Sequence, residues 1–189
     1  MMPKPHIPLE EIRTSVESCR RCPLCEGRTH IVFGEGNPEA RVMIVGEAPG
    51  KNEDLQGRPF VGAAGKYLDE LLAMAELARE DVFIANVLKC RPPGNRDPRP
   101  EEIEACTPYL REQTRTISPN FIVTLGNFST KFILKTDVGI TRLHGKLAQA
   151  GKFQVFPVYH PAAALYDRSK RTALEEDFAT LGRLLAEEA

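Results

Sequence analysis

No apolar run in the 189-residue sequence approaches the roughly 20 residues that a membrane-spanning helix needs. The first residues, MMPKPHIPLEEIR, lack the apolar core of a signal peptide. No membrane contact is expected, and a cytoplasmic location is. Charge of one sign is lacking too, since 25 Lys and Arg against 26 Asp and Glu leave a formal net charge of −1. That balance excludes a generally polybasic protein but allows a local basic face. There is no internal repeat, low-complexity tract or linker to a second domain, so residues 1–189 are expected to form one domain with a full core.

Disulfides are rare in a reducing compartment, so the five cysteines need another reason. Cys19, Cys22 and Cys25 lie far in sequence from Cys90 and Cys106, the pattern of a metal site with one residue to spare. Cys19/Cys22 and Cys22/Cys25 both have the two-residue gap that lets thiolates converge on one metal or cluster. Four such ligands suit zinc or iron–sulfur.

The stretch 42–65 organises the rest. Val42–Val45 reads as a buried strand that stops at Gly46, and the following loop carries Gly50, Gly57, Glu47, Glu53, Asp54 and Phe60. Further strands are expected at Asp81–Leu88, Phe121–Leu125 and Phe153–Tyr159, and helices at 8–18, Gly65–Leu77, Glu101–Ile117, Asn127–Leu134 and Thr172–Glu188. KCRPPGNRDPRP, after the second strand, is too rich in proline and glycine to be anything but an extended loop. Alternating strand and helix patterns predict an α/β fold, a parallel sheet with helices on both faces. Glu47, Asn86 and His160, at the ends of three of these strands, then share the sheet edge where such folds bind ligands.

Four segments occur in order: G-E-A-P-G (46–50), E-D with G-R-P-F-V-G (53–54 and 57–62), N-V-L-K-C-R-P-P (86–93) and H-P-A (160–162). Together they resemble the uracil-DNA glycosylase superfamily, and within it the family 4 enzymes that carry an iron–sulfur cluster. The resemblance runs from Cys19 to about Arg168. It implies a three-layer αβα fold around a central four-stranded, mostly parallel sheet, and a prokaryotic, cytosolic DNA repair hydrolase that removes uracil from DNA and leaves an abasic site. It also implies a [4Fe-4S] cluster. Cys19 and Cys22 fit the family's first ligand pair, with Leu24 and Arg28 behind them, and Cys90 and Cys106 complete the set. Cys25 falls where the family needs no ligand. Zinc on the same four cysteines is the alternative.

By the same resemblance, the chemistry begins with extrusion of a nucleotide, because a stacked base hides the bond to its sugar. Phe60 is expected to stack on the pyrimidine. Asn86, with an acceptor and a donor on one amide, is expected to read uracil N3–H and O4, a pattern that cytosine reverses. His160 would donate a hydrogen bond to O2 as negative charge develops there, beside the backbone of Gly46–Ala48. Glu47 would position the attacking water and stabilise the cationic sugar. Glu53 is expected near the pyrimidine edge, where it would help exclude the thymine methyl, while Asp54 could cap the next turn. Arg91, Arg96, Arg99, Arg168, Lys170 and Arg171 are expected to meet phosphates, and Leu165 to enter the base stack.

The expected partner is uracil-containing DNA, single- or double-stranded, bound by a monomer; a replication-clamp contact is left open. A related branch binds uracil-DNA without hydrolysis, forming a crosslink through a histidine after the second strand, but Arg91–Pro100 contains none. A relaxed-specificity branch carries an apolar residue where Glu47 stands. An electron-transfer iron–sulfur protein would leave Phe60, Asn86 and His160 without a reason.

Overall fold

The computed structural model describes residues 7–188. In chain order its strands are β1 (Glu35–Gly36), β2 (Val42–Gly46), β3 (Val82–Asn86), β4 (Phe121–Leu125), β5 (Ala148–Ala150) and β6 (Phe153–Val158). The helices are α1 (Leu9–Glu17), α2 (Leu24–Gly27), α3 (Lys51–Gln56), α4 (Ala63–Met74), α5 (Pro100–Ile117), α6 (Asn127–Leu134), α7 (Ile140–Leu143), α8 (Pro161–Ala164) and α9 (Arg168–Glu187).

β3, β2, β4 and β6 lie side by side and parallel, and are the four strands expected from the apolar runs. The sheet has six strands rather than four, in the order β1-β3-β2-β4-β6-β5. The extra two are short and antiparallel, β1 against β3 and β5 against β6. Two or three residues give no period to read, and such strands serve to close the sheet's edges.

Alternation along the strands divides the core. Ile44, Ile84, Val123 and Phe156 pack with Leu68 and Leu71 of α4 and Leu174, Phe178 and Leu181 of α9. Met43, Val45, Phe83 and Ile122 face the other way, against Ile12 and Val16 of α1 and Leu110 and Ile117 of α5. Helices on both sides explain why the strands read as unbroken apolar runs. The expected three layers are present.

One helix start and one loop differ from expectation. α9 begins at Arg168 rather than Thr172, because Asp167 Oδ1 accepts the Ser169 N–H at 3.0 Å and caps it. The loop after β2 contains α3, closed by Gly57 at φ 67°. No helix among the described residues is long and apolar enough to cross a membrane.

Candidate active site

Parallel pairing sets Gly46 of β2 opposite Asn86 of β3, so both strands end together. The loops beyond them, with His160 after β6, line a cavity of about 500 Å³ that also takes in Glu47, Glu53, Phe60 and Asp97. A Cβ on Gly46 would run into Asn86 Oδ1 and the Phe60 ring, so only glycine lets the two approach here.

Asn86 is 2% exposed, and its Oδ1 has no hydrogen-bond partner. Among the described residues it is the lone buried side-chain nitrogen or oxygen in that condition. A buried acceptor left unmade costs about 1–3 kcal/mol, and this one lines the cavity.

Phe60 holds a left-handed backbone (φ 51°), rare for an aromatic residue. Arg79 accounts for it: Nη1 donates to Phe60 O at 3.2 Å and Nη2 to Pro59 O, while Nε meets Glu35 at 2.9 Å and Nη1 meets Asp69 at 3.0 Å. A Cβ on Gly65 would overlap the same Phe60 carbonyl. Sequence reasoning missed Arg79 because its targets are backbone carbonyls about twenty residues away.

His160 Nδ1 accepts the Ala162 N–H at 3.1 Å, which puts the ring proton on Nε2. Burial pushes its pKa down to about 4, against a smaller opposing pull from Glu53, so the ring is neutral at pH 7 and still a donor. Glu47 is shifted the other way: burial, and then the charge of Asp97, raise it above the usual carboxylate range. Asp97 is a second acid beside Glu47 that the sequence analysis did not single out. Glu53 Oε1 accepts the N–H groups of Val61 (3.0 Å) and Gly62 (3.3 Å), tying the loop after Phe60 to α3. Asp54 caps no turn of its own; it accepts the Thr29 N–H at 2.9 Å.

The residues expected at phosphates have varied surroundings. Arg96 makes a fork to buried Glu102, at 2.9 and 2.5 Å, and Arg91 bonds Asn95 at 2.7 Å. Arg171 lies over the Tyr67 ring and pairs with Glu175 and Glu70. Lys170 pairs with Asp167 at 3.3 Å. Arg99 is exposed just before α5, and Arg168 opens α9. Leu165 is 40% exposed, but its neighbour Tyr166 is 93% exposed, an aromatic side chain standing in solvent beside α8. The sequence analysis did not single out Tyr166.

All five cysteines line a second, narrow cavity. Cys90 and Cys106 are buried and the other three half-buried. Arg28 donates to Cys90 Sγ (3.3 Å) and to Cys19 O (3.0 Å), and the Lys89 N–H points at Cys106 Sγ (3.2 Å). Burial pushes the Cys90 thiol up to about 11, with Arg28 opposing it and Cys106 and Cys22 adding to it. Burial raises Cys22 and Cys106 as well. Such crowded thiols ionise readily only around a cationic centre, so the donor set fits a thiolate-ligated group. Among the described residues no three His, Cys, Asp or Glu side chains are drawn together tightly enough for a single metal ion.

A model of the Uracil DNA glycosylase superfamily matches residues 33–181. The chain is 51% identical over 186 residues to a Type-4 uracil-DNA glycosylase of Sulfurisphaera tokodaii, covering 93% of this chain and 84% of that one. It is 49% identical over 184 residues to the Type-4 enzyme of Archaeoglobus fulgidus (93% and 92% covered) and 47% over 187 residues to that of Saccharolobus solfataricus (94% and 87%). Similarity of this extent, spanning the sheet and both cavities, means that the chain belongs to the uracil DNA glycosylase superfamily.

Proposed function

We propose that this chain is a repair enzyme that takes uracil out of DNA by hydrolysing its N-glycosidic bond, with Asn86 reading the extruded base. The observation that supports this most is the unpartnered Asn86 Oδ1 on the cavity wall. Uracil N3–H supplies the missing donor, and the amide's Nδ2 donates to O4. Cytosine offers an acceptor and an amine at those positions, which leaves like facing like at a cost of about 1–3 kcal/mol for each unmade bond.

Phe60 stacks on the pyrimidine. The leaving group is the uracil anion, and neutral His160 donates Nε2–H to O2 as charge develops there, assisted by the N–H groups around Gly46–Ala48. A hydrogen-bond donor suffices because the anion is delocalised. Glu47, in its ionised form, orients water toward the sugar and stabilises the oxocarbenium-like centre. Glu53 shapes the pyrimidine edge from its anchored position. Tyr166 and Leu165 enter the space vacated in the stack, and the arginines and lysine near them hold phosphates.

Cys19, Cys22, Cys90 and Cys106 ligate a [4Fe-4S] cluster, which would act as a structural cross-link between the segment after α1 and both ends of the 91–105 loop. The support is the ring of thiols around one cavity; zinc would need its four ligands gathered about 2.3 Å from one point. The protein acts as a single-domain monomer in the cytoplasm, on single- or double-stranded DNA.

The test is incubation of purified protein, without added metal, with a uracil-containing oligonucleotide and a thymine control. Alkali-labile breaks with uracil alone are expected, and a brown protein with broad visible absorption. Equal cleavage of both strands, or of neither, overturns the activity; a colourless, zinc-containing protein overturns the cluster.

A further inference from the structure

Lys89 is 1% exposed, one of the largest fully buried side chains in the molecule. A lysine is rarely placed so deep, and burying its ammonium is costly unless every donor is used. No carboxylate pairs with it among the described residues. Its Nζ donates instead to Asn86 O at 2.9 Å and Gln113 Oε1 at 2.6 Å. Gln113, from α5, is itself fixed, its Nε2 donating to Phe33 O at 2.9 Å. A leucine or methionine would fill this space but leave Asn86 O and Gln113 Oε1 without this donor, so the amine is there for those two acceptors rather than for packing.

The backbone around Lys89 shows what the amine connects. Beyond Asn86, the Val87 and Leu88 N–H groups still follow β2, donating to Gly46 O and Glu47 O, each at 3.0 Å. At Lys89 the chain leaves the sheet. Its N–H turns to Cys106 Sγ at 3.2 Å, and its carbonyl receives the Val32 N–H at 2.8 Å. The main chain of Lys89 therefore belongs to the cysteine cavity, while its side chain folds back three residues to hold the peptide carbonyl of the asparagine that lines the other cavity.

We propose that Lys89 is a positioning residue that couples the cysteine-lined cavity to the aim of the Asn86 amide, through its hydrogen bonds to Asn86 O and Gln113. The peptide plane after Asn86 is held at both ends, its Val87 N–H by Gly46 O and its carbonyl by Lys89, and with the second tie in place the amide keeps its orientation before a base arrives. Recognition through a single side chain tolerates displacements of only about 0.5 Å. The inference rests on the reading of Asn86 as the base-contacting residue.

The test uses the intact protein carrying Lys89→Met or Gln113→Met, with Asn86→Ala alongside. Three properties are read: visible absorbance per protein, inhibition by free uracil, and affinity for an oligonucleotide bearing an abasic site, which has no base for Asn86. Both methionine variants are expected to weaken uracil inhibition about tenfold or more at unchanged abasic-site affinity, and Gln113→Met to keep the parent's absorbance. A merely structural lysine would lower absorbance, melting temperature or active fraction and leave the uracil inhibition constant within twofold of the parent; that result overturns the proposal. Should Lys89→Met lose its colour, Gln113→Met decides by the same criterion, because it keeps the amine. If Asn86→Ala itself retains parent-like uracil inhibition, the reading of the pocket fails and the coupling with it. If Asn86→Ala loses that inhibition while both methionine variants keep it, the coupling alone fails.

Discussion

The Phe60 ring and the His160 imidazole are stacked, with centroids 5.7 Å apart and planes 29° from parallel. The two rings come from opposite ends of the sheet's connectivity, one from the loop after β2 and one from the residue that follows β6 by two. Their contact makes one wall of the cavity and leaves the imidazole half-buried there. That setting is what pushes the His160 pKa down to about 4.

A pH dependence follows. The native state keeps His160 neutral to about pH 4, whereas an unfolded histidine takes up a proton near 6.5. Stability is therefore unaffected by this group above about pH 6.5 and declines as pH falls from there toward 4, because the unfolded chain binds the additional proton. Activity should show no inflexion near 6.5. Its acid limb should instead reflect Glu47, whose pKa burial and Asp97 raise above 4.5 and which must be ionised to act. A pH profile of kcat/KM on a uracil oligonucleotide checks this, and Asp97→Asn should move the limb to lower pH.

His160→Ala is expected to lower kcat by about 10²–10³, the usual effect of removing one donor to a developing oxyanion. Asn86→Ala should lose activity comparably while its unfolding free energy stays within about 1 kcal/mol of the parent, since the amide oxygen it removes is unpaired in the free protein. Denaturant titration beside single-turnover kinetics measures both.

Tyr166→Ala should reduce activity on duplex DNA about tenfold or more and on single strands much less, because only the duplex requires the vacated space to be filled. Leu165→Ala, at a less exposed side chain, should have the smaller effect. Comparing the two substrates for each variant checks the assignment.

Cys22→Ala should bleach the protein and destabilise it, and Cys25→Ala should do neither. Visible absorption and melting temperature together read this out. All five thiols line the same cavity, so a bleached Cys25→Ala protein alongside a coloured Cys19→Ala one would reassign the ligand set.

The buried parallel strands were legible as apolar runs, sharply where a glycine ends the run, as in Val42–Gly46, and with looser bounds where none does, as in the expected Asp81–Leu88 against the observed Val82–Asn86. Asn86 and His160 were legible from the N-V-L-K-C-R-P-P and H-P-A segments, whereas the second apolar run reads on to Leu88 and hides that its strand ends at Asn86. The edge strands β1 and β5 were not, being shorter than any period. The start of α9 was missed because the apolar pattern begins at Leu174, past the Asp167 cap. Arg79 and Lys89 were missed for a common reason: each acts on main-chain carbonyls, which carry no mark in the sequence. Conversely, Arg96 reads as a cation free for phosphate, yet its guanidinium is held by Glu102.

Arg79 also gives β1 a purpose beyond shielding an edge. This guanidinium reaches Glu35 on that strand, Asp69 on α4 and the carbonyls of Pro59 and Phe60. The outermost ribbon of the sheet is thus a buttress for the aromatic floor, and a neutral residue at Glu35 would loosen the seat of the pyrimidine from the periphery inward.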